Sequence, residues 1–365
     1  MGRCFLLFFI MTICTCCKSD APIAAFEQID LDVVNKRECA FRVENARLFP
    51  LETTEESLIA RVDKIISKAP YIYILDSRQK VIFIFDYDGH YLTKIDKIGR
   101  AGGEYASIED FDVGDNGDLF ILSAYSKKII KYAYPAYISF DEIRINCSMT
   151  EICVVGDKIY TGGMHTPDGL VGLGVLDITK GTVDPLVGIR AEFDLSSDDR
   201  FEVKPRSFYK SSGNVLFNQR FSRQVHELGQ SGWQIPYEFS SGLPVWAAGD
   251  KDDFRGFRSI FHVGRIILGQ LWQNQFYYPP LYIRDIESGK ESLCNLWDMG
   301  LPFLTDISTK DGHFIMAISA DRLKRIQNNE IVRNVVSKVS ENDNPLLLEF
   351  DIVANPSVSY THLTL

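Results

Sequence analysis

The chain has 365 residues, of which 45% are hydrophobic and 24% are charged, and its formal net charge is −10 at pH 7. This balance supports a buried core and excludes a disordered chain. The acidic surplus offers no attraction for phosphate backbones, so we expect no nucleic-acid partner. The many phenylalanines, tyrosines and glycines suit short strands joined by tight turns.

The N-terminus has the features of a secretory signal. Arg3 precedes an apolar run over 5–11 that is too short to span a bilayer, and small or sulfur-containing residues follow. The next stretch, Ile13-Cys14-Thr15-Cys16, resembles a bacterial lipobox. We therefore expect a lipoprotein signal peptide over 1–16 with Cys16 as the lipidated residue, and Cys17 as the alternative. A plain secretory signal with incidental cysteines is the other interpretation.

Residues 17–46 are expected to form a flexible tether between the anchor and the folded body. Its first residues, Lys18-Ser19-Asp20, resemble the export signals of some surface lipoproteins, although a polar spacer would have the same composition. The expected location is therefore outside the inner membrane, as an outer-membrane lipoprotein that is periplasmic or surface-exposed. Contact with the membrane would be made through the acyl chains alone.

One pattern recurs through the body of the chain, a glycine or polar turn followed by a short run of β-forming apolar residues. The runs recur every 40 to 56 residues and begin at Ile72, Leu119, Ile159, Val215, Ile266 and Phe314. A strand-based repeat of about 40 to 50 residues is typical of a propeller blade. We therefore predict an all-β fold, a six-bladed β-propeller of mostly four-stranded antiparallel blades, over residues 47–352.

The two ends of this region are predicted to close the ring. Residues 48–52 form a plausible strand before the first repeat, and residues 346–351 form another after the sixth. If both strands belong to one blade, hydrogen bonds between the chain ends leave few unpaired edges. The segment 353–365 follows no blade pattern and is interpreted as a non-native tail, with a genuine short tail as the alternative.

A known family is indicated by one segment between the first two repeats. Exported six-bladed β-propeller lipoproteins related to NHL-repeat proteins carry a glycine-arginine-rich loop there, and this chain resembles them at Gly99, Arg100, Gly103, Glu104 and Tyr105. The usual proline before the final glycine is absent. The resemblance implies a fold and an exported location, and it implies no defined activity.

Charged residues on the predicted innermost strands are the candidate binding residues. Asp110 and Arg206 each lie seven residues before their turn glycine, and Arg258 and Asp306 each lie six before theirs. Propellers commonly hold ligands at the central channel, where arginine side chains can bind a carboxylate or a sulfate in a bidentate manner. The alternative is that these charges pair with one another inside a polar channel.

No cofactor or metal motif is visible in the sequence. The histidines are scattered among the repeats without ligand spacing, and neither a phosphate-binding loop nor a nucleophile elbow occurs. The aspartate-rich stretches 86–89 and 112–118 are interpreted as turns rather than calcium loops. Export permits disulfides, but the spacing of the remaining cysteines indicates no pairing, and we expect buried free thiols at Cys39, Cys147, Cys153 and Cys294.

The leading functional hypothesis is a noncatalytic binding propeller of the cell envelope. Its ligand, a glycan, a peptide or a protein, would be held at the mouth of the channel. The alternative is a metal-assisted lyase, lactonase or hydrolase with its site in the channel. A structural component of an envelope complex is a third possibility.

Overall fold

The computed structural model describes residues 26–34, 38–166, 169–188, 206–211, 213–219, 222–240, 257–271, 280–295, 297–301, 307–326 and 329–356. In these ranges the chain forms six small sheets, and their innermost strands contact one another around a common axis. The predicted all-β, six-bladed β-propeller is confirmed. None of the helices in these ranges is long and apolar enough to cross a membrane.

In chain order, the strands are β1 (Glu27–Asp30), β2 (Phe41–Pro50), β3 (Lys64–Lys68), β4 (Tyr71–Asp76), β5 (Val81–Asp86), β6 (Tyr91–Ile95), β7 (Asp110–Val113), β8 (Leu119–Ser123), β9 (Lys128–Tyr132), β10 (Phe140–Arg144), β11 (Glu151–Val155), β12 (Lys158–Thr166), β13 (Gly169–Asp177), β14 (Thr182–Gly188), β15 (Phe208–Ser211), β16 (Asn214–Phe217), β17 (Gln224–Gly229), β18 (Gly232–Ser240), β19 (Phe257–Val263), β20 (Ile266–Leu271), β21 (Leu281–Asp285), β22 (Glu291–Cys294), β23 (Ile307–Lys310), β24 (His313–Ile318) and β25 (Leu346–Ala354). The helical segments are α1 (Ala320–Leu323), α2 (Arg333–Val336) and single 3-10 turns at Trp297–Met299 and Lys324–Ile326.

Each blade is an antiparallel sheet of four strands. Blades 1 to 5 are built from consecutive strands, β3–β6, β7–β10, β11–β14, β15–β18 and β19–β22. Blade 6 combines β23, β24 and β25 with β2 as its outermost strand. The innermost strand of each blade, at the axis, is β3, β7, β11, β15, β19 or β23.

The core lies between the blades, because both faces of each middle strand are covered. In β4, Tyr73 packs into a cluster shared with blade 2, whereas Ile72 and Ile74 pack into a cluster shared with blade 6. All three side chains are almost completely buried. A strand that is buried on both faces has no polar side to show, which explains the continuous apolar runs of the repeat.

The chain ends close the ring as predicted. In blade 6, β2 pairs antiparallel with β25, and Phe49 lies opposite Leu347. The pairing extends beyond the predicted boundaries, since Phe41 lies opposite Ala354 and the amide of Asn355 donates to the carbonyl of Ala40. The remainder of the expected tail, residues 357–365, lies outside the described residues.

The second half of the expected tether is part of the folded body. Residues 26–34 and 38–40, here called the N-terminal strap, run along the outer edges of blades 4 and 5 before the chain enters β2. Within the strap, β1 pairs in parallel with β18 and adds a fifth strand to blade 4. The side chain of Ile29 in β1 is only 3% exposed. The folded region therefore begins near residue 27 rather than at residue 47.

The expectation of four free thiols was wrong for two of them. Cys39 and Cys294 form a disulfide that links the strap to the outermost strand of blade 5. The neighbouring amide of Ala40 donates to the hydroxyl of Ser292, which donates in turn to the carbonyl of Glu38. Sequence spacing could not reveal this pair, because the two cysteines meet only after the strap wraps around the ring. Cys147 and Cys153 are free, as expected.

The two faces of the ring differ in the length of their connections. On the face where the innermost strands begin, here called the mouth face, the fully described connections 51–63, 96–109 and 145–150 join one blade to the next. The connection between β24 and β25, residues 319–345, reaches the same face. On the opposite face, here called the turn face, the innermost strands end in short turns, of which 69–70, 114–118, 156–157, 264–265 and 311–312 are fully described.

Candidate functional site

Charged residues stand at the mouth-face ends of the innermost strands. Lys64, Asp110 and Glu151 are the first residues of β3, β7 and β11. In blade 4, Arg206 lies two residues before β15, and in blade 5, Arg258 is the second residue of β19. We call these five residues the mouth charges. The predicted Asp306 lies outside the described residues, directly before β23.

Asp110 connects three blades. One of its carboxylate oxygens accepts a hydrogen bond from Nζ of Lys64 in blade 1 at 2.7 Å. The other oxygen accepts from the amide of Ile152 in blade 3 at 3.0 Å. Both interactions are intramolecular, so Asp110 stabilises the ring, and its partner Lys64 is not one of the four predicted residues.

The same arrangement repeats along β7 and the turn that follows it. Asp112 and Asp115 accept hydrogen bonds from the amides of Val154 and Gly156, at 2.6 Å and 3.3 Å. Carboxylates on one face of a strand have the spacing of alternate amides on a neighbouring strand, and the innermost strand of each blade has an unpaired edge. The carboxylates therefore satisfy the edge amides of β11, which no fifth strand covers.

Each of these three carboxylates is also paired with a lysine. Asp110 binds Lys64 at 2.7 Å, Asp112 binds Lys210 at 2.8 Å and Asp115 binds Lys68 at 3.2 Å. We call the three carboxylate–lysine pairs the axial ladder. The hydrogen bond from Lys68 is the main reason that the pKa of Asp115 is lowered.

Lys210 of blade 4 joins the axial ladder to blade 2 across the axis of the ring. Its Nζ donates to Asp112 and to the carbonyl of Val154 at 2.9 Å, while the hydroxyl of Thr309 in blade 6 donates to the carbonyl of Lys210 at 2.9 Å. Burial alone would lower the pKa of Lys210, but its attraction to Asp112 and other nearby groups, together with the hydrogen bond to Asp112, outweighs burial, and the pKa is raised. Residues from blades 2, 4 and 6 thus meet at the axis below the mouth.

Glu151 is a mouth charge that sequence analysis missed. Burial, together with the nearby charge of Asp110, raises the pKa of its carboxyl to about 7. Its oxygens accept hydrogen bonds from the amide and the hydroxyl of Ser207, at 2.7 and 3.3 Å. Glu151 lies five residues before Gly156 and Asp110 lies seven before Gly117, because the turns differ in length. Alignment on strand starts, rather than on turn glycines, would have found it.

Arg206 and Arg258 come together at the mouth through Tyr209. The Tyr209 hydroxyl contacts the main-chain carbonyls of both arginines and is 2.7 Å from that of Arg258. The Nη2 atom of Arg206 is buried and has no hydrogen-bond partner in the described part of the chain. A buried guanidinium donor without a partner is costly unless a ligand or water satisfies it. The structure therefore places the unpaired Nη2 donor of Arg206 near Glu151, whose pKa is raised to about 7.

No metal-binding group is found among the described residues, where no three histidines, cysteines or carboxylates are suitably arranged. Two of the histidines that might serve as ligands are paired with single carboxylates away from the mouth. His90 contacts Asp86 at 2.9 Å, and His262 contacts Glu227 at 3.2 Å.

The loop that carries the family resemblance joins blade 1 to blade 2. A Cβ at Gly99 would lie 1.9 Å from a carboxylate oxygen of Glu104, and that oxygen accepts a hydrogen bond from the amide of Ala101. The buried Tyr105 hydroxyl contacts the carbonyls of Lys80 and Ile95 in blade 1. These residues hold two blades together, so the motif is explained by the fold.

Comparisons with known proteins agree with this architecture. The sequence model of a family described as "Domain of unknown function (DUF4934)" matches residues 27–350. Among curated proteins, none matches the chain. A solved structure from Bacteroides fragilis, named for its expected export, is 15% identical, with a TM-score of 0.71 over 90% of this chain and 99% of its own. A DUF4221 family member from Bacteroides vulgatus is 8% identical, with a TM-score of 0.53 over 87% and 99%. At these identities the likeness shows the fold alone.

Proposed function

Because this chain belongs to the DUF4934 family, whose description names no activity, we propose its function from its own structure. It is an exported, lipid-anchored propeller that binds a ligand without transforming it. The ligand is a glycan, a peptide or a protein segment that places an anionic group at the mouth. The observation that carries the proposal is the buried Nη2 atom of Arg206, which has no hydrogen-bond partner among the described residues.

The surroundings of Arg206 support an anionic ligand. The main-chain carbonyl of Arg258 in the next blade contacts the same Tyr209 hydroxyl as that of Arg206, so the two arginines lie on one side of the mouth. Arginine binds carboxylate and sulfate with paired hydrogen bonds, which are stronger than neutral ones. Glu151 adds a carboxyl with a pKa of about 7, and its protonation at mildly acidic pH removes a repulsive charge. Binding should therefore strengthen as the pH falls from 8 to 6.

The disulfide supports export. Cys39 and Cys294 are joined in the folded protein, and such bonds persist in the periplasm and at the cell surface rather than in the cytosol. Together with the signal-like N-terminus, this favours a lipoprotein anchored at Cys16 in the outer membrane. The relation to NHL-repeat proteins is part of the same proposal and is supported by the loop at residues 99–105.

A binding screen tests the proposal. The purified protein is applied to arrays of acidic glycans and acidic peptides, with neutral versions of each as a reference. Arg206→Gln and Arg258→Gln should each weaken a hit by about tenfold or more, since a charged hydrogen bond contributes about 1.5 to 3 kcal/mol. Arg78→Gln is the matched control, because Arg78 is an exposed arginine in the β4–β5 turn on the same face.

The screen also separates the alternative functions. A hit that the protein cleaves or eliminates, with activity that depends on an added divalent ion, would favour the lyase, lactonase or hydrolase. A hit that binds Arg206→Gln as tightly as the unchanged protein would refute the proposed site. Failure of every ligand on both arrays, with an envelope protein recovered in stoichiometric complex, would favour the structural role.

A further inference from the structure

The connection between β9 and β10, at the outer edge of blade 2, carries no charge. Residues 133–140, here called the apolar loop, comprise this connection and Phe140, and they read Ala-Tyr-Pro-Ala-Tyr-Ile-Ser-Phe. Within the loop, Ile138 is 76% exposed, Phe140 is 42% exposed and Tyr134 is 40% exposed. Large apolar side chains that are exposed together mark a contact with a protein or with a membrane.

Two aromatic rings of the apolar loop rest on glycines of neighbouring segments. A Cβ at Gly103, in the connection between blades 1 and 2, would lie 2.6 Å from the ring of Phe140. A Cβ at Gly117, in the β7–β8 turn, would lie 2.9 Å from the ring of Tyr134. Tyr137, between the two rings in sequence, is buried. These contacts hold the exposed side chains in place, so docking requires little further ordering of the loop.

Several backbone groups of the apolar loop are bonded within the protein. The amide of Ala133 donates to the carbonyl of Ser139 at 3.0 Å, and the amide of Tyr137 donates to the carbonyl of Ala133 at 2.9 Å. The amide of Tyr134 donates to a carboxylate oxygen of Asp118 at 3.0 Å. Backbone groups that are already paired lose little when water is removed, and contact with the apolar part of a bilayer requires such pairing.

The connection between blades 1 and 2 extends this surface. It lies against the apolar loop, because a Cβ at Gly102 would be 3.3 Å from the ring of Phe140. In this connection Ile98 is 51% exposed and stands in sequence between two exposed residues of opposite charge, Asp96 and Arg100. The two charges offset each other, so a contact here depends on apolar area and needs no anionic lipid.

We propose that the apolar loop of blade 2 docks on the surface of a lipid bilayer, where Tyr134, Ile138 and Phe140 enter the interfacial layer. Aromatic side chains are favoured at that depth. A protein partner fits less well, since protein interfaces carry about one hydrogen bond per 100 to 200 Å² and the loop has no charged side chain with which to form them. The contact is separate from the ligand site proposed at the mouth, and it relies on the proposed anchor at Cys16 only to keep the bilayer near.

Co-sedimentation with vesicles tests the docking. The chain is prepared from residue 18 onward, so that it contains every described residue but neither the proposed signal peptide nor an anchor cysteine. It is mixed with phosphatidylcholine vesicles and should sediment with the lipid. Ile138→Asp should raise the lipid concentration needed for half-maximal binding by about tenfold or more, because it removes a buried isoleucine and places a charge in the interface.

Val33→Asp is the matched control for this substitution. Val33 is also 76% exposed, but it lies in the N-terminal strap, which runs along blades 4 and 5. An aspartate there should leave vesicle binding unchanged. Phosphatidylglycerol vesicles should bind the protein no more tightly than phosphatidylcholine vesicles, since the net charge of the chain is −10. Thermal unfolding of both variants checks that the ring stays folded.

The possible outcomes are distinguishable. Equal binding of Ile138→Asp and the unchanged protein, or binding that occurs only with phosphatidylglycerol, overturns the docking. Absence of binding to either kind of vesicle also overturns it and leaves the anchor in place, because mass spectrometry of the N-terminus of the full-length protein tests the anchor separately. An unlipidated N-terminus, together with vesicle binding by the shorter chain, refutes the anchor and supports the docking. A protein partner that Ile138→Asp no longer binds, without any vesicle binding, would assign the loop to that protein and overturn the membrane contact.

Discussion

Lys210 in blade 4 donates a hydrogen bond to Asp112 in blade 2, with 2.8 Å between Nζ and Oδ2. The pair passes over blade 3, whose edge amide at Val154 donates to the same carboxylate oxygen. Blades that are not neighbours in the ring are therefore linked directly at the axis. The ring is therefore stabilised at its axis by this ion pair, in addition to the β2–β25 pairing that closes it.

Removal of the lysine should destabilise the protein because it leaves the carboxylate of Asp112 buried without a cation. For Lys210→Met we expect the free energy of unfolding to fall by about 2 to 4 kcal/mol, less than for a fully buried pair because the lysine is partly exposed. Urea unfolding gives the value. Lys180→Met, which breaks an exposed pair with Asp177, is the control and should leave the free energy of unfolding almost unchanged. Equal effects of the two substitutions would contradict a structural role for the ladder.

The raised pKa of Glu151 predicts a stability that falls as the pH rises. The folded protein keeps a proton up to about pH 7, whereas the unfolded chain releases it near its ordinary pKa of 4.5. The folded state thus binds more protons between these values, and the free energy of unfolding decreases across this window by about 2 to 4 kcal/mol. In Glu151→Gln this decrease should disappear. Urea unfolding at pH 5 and pH 8 measures it, and parallel profiles of the two proteins would refute the assignment.

Reduction of the disulfide should weaken the whole ring. Cys39 and Cys294 are 255 residues apart in sequence, so the bond removes much of the freedom of the unfolded chain. The chain-entropy relation for a loop of this length predicts a loss of about 5 to 6 kcal/mol in Cys294→Ser. Calorimetry measures the change, and Cys147→Ser, which affects a free thiol, is the control. Recovery of residues 39 and 294 as separately alkylated peptides from unreduced protein would contradict the bond.

The glycine in the loop between blades 1 and 2 should be required for packing as well as for its conformation. Gly103 has a φ of 72°, and a Cβ there would lie 2.6 Å from the ring of Phe140. We expect Gly103→Ala to cost about 1 to 2 kcal/mol for the left-handed backbone and a further amount for the clash. Gly289→Ala, at a φ of 67° with open space around it, measures the backbone cost alone. Equal melting temperatures of the two variants would show that Phe140 moves aside freely.

Much of the fold could be predicted because a blade is a local structure. The run from Ile72 to Leu75 and its turn residues appear in the sequence in the order in which they pair. Ring closure followed from two terminal strands that lacked other partners. The docking of β1 could not be predicted, since four residues with one buried isoleucine give too short a pattern.

The candidate site was only partly predictable. Charges on innermost strands pointed to Asp110, Arg206 and Arg258, since the repeat places those strands at the axis. The pairing of these charged residues depends on how far neighbouring blades are shifted relative to one another along the axis. No local sequence pattern encodes that shift. For that reason the sequence did not reveal that Asp110 is bound by Lys64, or that Glu151 stands beside Arg206.

The dissociation constant of the tightest acidic ligand from the arrays tests the central claim most directly. It should be measured by calorimetry for the unchanged protein, Arg206→Gln and the control Arg78→Gln. The account predicts an increase of about tenfold or more for Arg206→Gln alone, from the loss of a charged hydrogen bond. Equal dissociation constants for all three proteins would show that the ligand does not use the mouth and would contradict the account.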